Sequence, residues 1–229
     1  TFPVDMGDAP NLTNAVNMFK NCSYLNLINP LNLDTKNITD MSSMFEATSW
    51  NYDQAEYNLG DKFRFDNVTT TEKMFYKNGG KKITFTHFNA PKNTTGANMF
   101  AESHALEISI PEFNLPEVTD LSHMFEKALV RKVILPSEVH TGKLENVYRM
   151  FYLAEYLESI SQINFDTHNV TSMEDMFRSV SSSRTGLLEI TLGPQFSLSK
   201  VTKTNAMFYG SRPKKISFSS FNAPELTDM

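Results

Sequence analysis

The chain has 229 residues and a net charge of −5, from 21 Lys and Arg against 26 Asp and Glu. Both signs are mixed along it without a basic stripe, which argues against a nucleic-acid partner. No apolar run reaches the roughly eighteen residues of a membrane-spanning helix. A single cysteine, Cys22, excludes an internal disulfide framework and a cysteine-based zinc site.

The organising feature is the dipeptide Met-Phe, at Met18, Met44, Met74, Met99, Met124, Met150, Met176 and Met207. The pairs fall 26, 30, 25, 25, 26, 26 and 31 residues apart, and a period of that size marks a solenoid or array. Six residues before most of these Met stands an aliphatic residue, usually followed by Thr: Leu12-Thr13, Ile38-Thr39, Val68-Thr69, Val118-Thr119, Val170-Thr171 and Val201-Thr202. Thr119 and Thr171 occupy cap positions with Asp120 and Glu174 in the following turn, which predicts a short helix or 3₁₀ segment ending at Met-Phe. Met41 and Met44, like Met173 and Met176, would then share one helical face. The next predicted element is a strand, in alternating segments beginning at Ile83, Ile108, Val133, Ile160, Ile190 and Ile216. Pro111 and Pro136 limit those strands to about three residues.

Neither element buries an apolar face alone, so the units must stack. The expected fold is an α/β repeat solenoid, a leucine-rich-repeat-like curved array with one short parallel strand and one short helix per ~25-residue unit. Residues 1–229 form one repeat domain of about eight units. The closing "FNAPELTDM" reads as the start of a ninth unit, so the expectation is a longer parent chain continuing past Met229. Insertions at 46–58 and 179–189 both lie in the return from helix to strand, on one edge.

The Met-Phe pairs read as core filling, and Cys22 as a small close-packing residue. The five histidines fall at different phases of the unit, which argues against a metal cluster. No P-loop or G-x-S-x-G elbow is present, and neither catalysis nor a cofactor is expected. Six N-x-S/T sequons follow largely from the unit's own N-aliphatic-Thr spelling.

Two candidate binding surfaces remain. The 46–58 insertion holds the only tryptophan, Trp50, with Tyr52, Asp53, Glu56 and Tyr57; aromatics with a few acids suit protein or sugar recognition. The competing reading packs Trp50 inward. On the sheet face, Lys82, Glu107, Lys132, Ser159, Glu189 and Lys215 form one ladder and Thr84, Ser109, Ile134, Ser161, Thr191 and Ser217 another. These ladders are either a solvated, self-compensating face or a recognition surface.

"ITDMSSMF" from Ile38 and "VTSMEDMF" from Val170 resemble the V-T-x-M-x-x-M-F hallmark of BspA-like leucine-rich repeats, in the variant of mycoplasma-type lipoproteins. "VTDLSHMF" from Val118 matches with Leu121 for Met. The resemblance implies an extracellular, cell-surface, non-catalytic adhesion protein. Its partner would be a protein or glycan on a host or neighbouring cell, with any membrane or wall anchor elsewhere in the parent chain. The alternative is a structural stalk or scaffold that displays another domain.

Overall fold

The computed structural model describes residues 11–25, 30–31, 33–51, 55–183 and 187–228. Nine short strands occur among them: β1 Glu56–Asn58, β2 Lys82–Thr84, β3 Glu107–Ser109, β4 Phe113–Asn114, β5 Lys132–Ile134, β6 Val139–His140, β7 Ser159–Ile160, β8 Glu189–Leu192 and β9 Lys215–Phe218. All pairings are parallel, in sheets ordered β1-β2-β3-β5-β7, β4-β6 and β8-β9. The alternation in the sequence produces these strands: Ile83, Ile108 and Val133 point into the core while their neighbours stay partly solvated.

The helix expectation is overturned. No helix forms among the described residues, and the fold is a parallel β-solenoid instead of an α/β repeat with a helix per unit. Between Thr and Met-Phe the chain makes consecutive β-turns. In the Phe125 coil, Met124, Glu126 and Ala128 donate N–H to the carbonyls of Leu121, His123 and Phe125, three residues back. The intervening Leu121, His123, Phe125 and Lys127 donate to Asn146, Tyr148, Met150 and Tyr152 of the next coil. A helix would aim all of these N–H groups along its own axis. Here alternate groups point outward along the stack.

The residue before each Met makes this possible. Asn17, Ser43, Lys73, Asn98, His123, Arg149, Asp175 and Ala206 all hold φ between 53° and 59°, the left-handed value that the second central residue of a type II turn requires. A second left-handed residue follows two positions after each Phe, as at Asn21, Lys77, Lys127 and Gly210. Met41-Met44 and Met173-Met176 are therefore the two ends of a turn, closed by Met44 N–H and Met176 N–H.

Thr does not cap a helix either. Thr69 donates both its N–H and its hydroxyl to Thr39 O, at 2.8 and 2.9 Å, and Thr94 and Thr119 repeat this on successive coils. The local turn-closing bond comes from the following residue: Asp120 Oδ1 accepts Ser122 N–H at 2.8 Å, and Asp40 accepts Ser42 likewise.

The core is a column of rings. Phe19, Phe45, Phe75, Phe100, Phe125, Phe151, Phe177 and Phe208 stack in series with centroids 5.0–5.7 Å apart and interplanar angles of 3–15°. Edge-to-face pairs among Phe65, Phe88, Phe113 and Phe165 form a second buried row of rings, which includes Phe113 of β4. The Met side chains of the pairs lie beside the column, with Met44 through Met176 fully buried.

Phe125→Ala opens a cavity between the Phe100 and Phe151 rings and is expected to cost about 3–5 kcal/mol in urea unfolding. Phe208, half-buried with one stacking partner, should cost markedly less. Equal losses at the two positions would contradict a continuous ring column.

Candidate functional site

The edge that carries both insertions holds the strongest surface feature. Trp50 is 49% exposed and its ring lies 4.3 Å from that of His104, inclined by 44°. Gly79 permits this course, because a Cβ there would fall 2.5 Å from Ser49 O and 2.7 Å from Trp50 Cα. His104 has its backbone fixed from the preceding coil, its main-chain N–H donating to Asn78 O at 2.7 Å. Burial pushes its imidazole pKa below the ordinary value. Leu106, Leu129 and Tyr156 continue the edge as further exposed apolar side chains.

The remaining loop candidates separate. Tyr57 is buried, and its hydroxyl donates to Thr48 Oγ1 at 2.9 Å and lies 2.6 Å from Ser49 Oγ. Asn78 Nδ2 donates to the same Thr48 oxygen at 2.6 Å, and Ser49 Oγ donates to Leu25 O at 2.6 Å. Burial pushes the Tyr57 phenol pKa up. Tyr57 is thus the lock that returns the insertion to the core, and no part of it is offered to a ligand. Gly80 makes room for it, since a Cβ there would meet Tyr57 Cε2 at 2.5 Å. Glu56 belongs to strand β1, opposite Lys82. Tyr52 and Asp53 lie outside the described residues.

The sheet-face ladder extends to Glu56, Lys82, Glu107, Lys132 and Ser159 in register, with Asn58, Thr84, Ser109 and Ile134 beside it. Lys82 Nζ and Lys132 Nζ flank Glu107 at 3.0 and 3.4 Å, and the Lys82 hydrogen bond holds the Glu107 carboxyl below its usual range. Ser161 Oγ accepts Leu135 N–H at 3.2 Å. Beyond it the pairing shifts to Ile163 opposite Leu192. Glu189, Thr191, Lys215 and Ser217 consequently form a separate patch on β8 and β9, with Lys214 2.9 Å from Glu189.

The role of His104 under Trp50 had no sequence signal, because the two meet only where Gly79 of the intervening coil lets the chain pass. Glu56 had one: Tyr57-Asn58-Leu59 alternates as Ile83-Thr84-Phe85 does. Among the described residues no group of three His, Cys, Asp or Glu could hold a metal ion, and no helix is long and apolar enough to cross a membrane.

The repeat is matched by the model of a family described as "Mycoplasma protein of unknown function, DUF285", over residues 13–133, 54–155 and 132–229. The chain belongs to this DUF285 family. No curated protein and no solved structure matches. The overlapping segments of the DUF285 match cover the Trp50 edge, the sheet-face ladder and the Phe column alike.

With one tryptophan in the chain, fluorescence reports this edge directly. His104→Ala should red-shift Trp50 emission and raise its quenching by iodide. Because the folded His104 pKa lies below the unfolded value of 6.5, the native state binds fewer protons than the unfolded chain in that range. Stability should therefore fall as pH drops through 6.5 and level off below the folded pKa. His104→Gln should remove that part of the slope in unfolding curves taken between neutral and acidic pH.

Proposed function

We propose that this chain is a non-catalytic, extracellular binding module of a cell-surface protein, akin to BspA-like adhesins, that recognises a protein or glycan on a host or neighbouring cell. The observation that carries the reading is Trp50, half-exposed on His104 at an edge with exposed apolar side chains. Aromatic side chains held rigid in this way are favoured anchors in recognition surfaces. An array that bonds its backbone coil to coil leaves its outward side chains free to vary without cost to the fold. Family membership supports a repeat module; adhesion, surface location and the BspA-like kinship are this proposal's own additions.

The sheet face favours a second role. The Lys82–Glu107–Lys132 ion pairs compensate one another, as expected of a stalk or scaffold surface that displays another domain. The two readings divide the molecule, with recognition on the Trp50 edge and support on the sheet.

Screening the chain against arrays of host-surface proteins and glycans should yield a ligand whose affinity falls at least about ten-fold with Trp50→Ala. Charge reversal at Lys82 should leave that affinity unchanged. A ligand indifferent to Trp50→Ala, or no ligand at all, would shift the assignment to the scaffold role.

A further inference from the structure

The turns around Met-Phe, several coils along the stack from Trp50, carry a ladder of aromatic rings and guanidinium groups. Arg149 Cζ lies 4.9 Å from the Tyr148 ring and 4.6 Å from the Tyr152 ring. On the next coil Arg178 Cζ lies 5.8 Å from Tyr152 and 5.0 Å from Tyr209. Asp175 joins the two cations, accepting Arg149 Nε at 3.1 Å and Arg178 Nη1 at 3.2 Å.

We propose that this Tyr–Arg ladder is a binding site for a linear acidic polysaccharide, holding its carboxylate or sulfate groups on the outward edges of Arg149 and Arg178. Each guanidinium has five N–H donors, of which Asp175 takes one and no other acceptor among the described residues takes more. The cation–π contacts and the Asp175 bonds hold both guanidiniums in place for anion contact, with less of the ordering cost that a free arginine would meet. Two guanidiniums against one carboxylate leave the cluster net positive within an acidic chain. The adjacent Glu126 is already paired with His123 and Lys127.

A linear, repeating ligand fits better than a peptide. The cations recur on successive coils, so a polymer with regularly placed acid groups can meet both. An extended peptide would want main-chain pairing, and this face has little to give. Tyr152 N–H donates to Arg149 O, Leu153 to Arg178 O and Ser179 to Tyr209 O. Tyr209, 67% exposed, leaves ring surface free for the apolar face of a sugar.

The test uses the full chain with hyaluronan, heparin, neutral dextran and poly-glutamate as probes in binding isotherms at two salt concentrations. Hyaluronan or heparin should bind and weaken with salt, whereas dextran and poly-glutamate should not bind. Arg149→Lys with Arg178→Lys keeps the charge but removes the planar forks, and should lower affinity at least ten-fold with little change in melting temperature. Asp175→Asn should tighten binding, because it removes the carboxylate charge that competes for both guanidiniums and suits the left-handed backbone there. If the double variant fails to fold, Tyr209→Ser alone should weaken binding several-fold. Poly-glutamate binding as tightly as the glycans, binding insensitive to these changes, or none by the unaltered chain would overturn the proposal. Trp50→Ala should leave this affinity unchanged, which separates the site from the edge described above.

Discussion

The structure depends on one repeated contact, the Phe N–H of each coil donating to the Met carbonyl of the next. That bond is 2.8–2.9 Å long from Phe19 to Phe177, and it sets neighbouring rings at the distance where offset stacking is favourable. The ring column and the backbone ladder therefore impose the same axial step. Each outward position is then carried to the same height on every coil, which is why surface residues fall into columns. Two cations and three tyrosines can form a ladder only because the interior fixes their spacing.

Much of this was legible in the sequence, for a physical reason: buried columns tolerate little variation. The Met-Phe recurrence and the apolar-x-apolar strands identified the stacking units, the parallel sheet and the in-register ladder of Lys82, Glu107 and Lys132. The sequence suggests a helix because a Thr-Asp pair and methionines three apart look alike in a helix and in consecutive turns. In both, an N–H reaches back along the chain and a short polar side chain closes the first turn. The difference lies in the residue before Met, which must be left-handed. Asn17, Asn98, Asp175 and His123 are types enriched there, but Lys73 and Arg149 are not, so the signal is diluted. The stack imposes that conformation where local preference does not.

Candidate site residues were legible only where they repeat. Glu56 and Tyr57 belong to an inserted segment, and their assignment depends on which half of it rejoins the sheet. Tyr57 took the core position that Ile83 and Ile108 hold in later coils, so its aromatic character serves anchoring. Trp50 has no counterpart column at all. Its course follows from Gly79, which lets the chain lie close over the next coil and reach His104. Such irregular positions, on a scaffold whose backbone is internally bonded, are the physical basis for the proposal that recognition lies on edges and outward columns.

Through-hydrogen-bond coupling between amide nitrogen and carbonyl carbon, measured on isotopically labelled protein, tests the central contact most directly. The account predicts a correlation from Phe125 N to Met150 C′ and from Phe151 N to Met176 C′, the coil-to-coil bonds seen here. A correlation from Phe125 N to Leu121 C′, the partner four residues back that a helix would use, would contradict it.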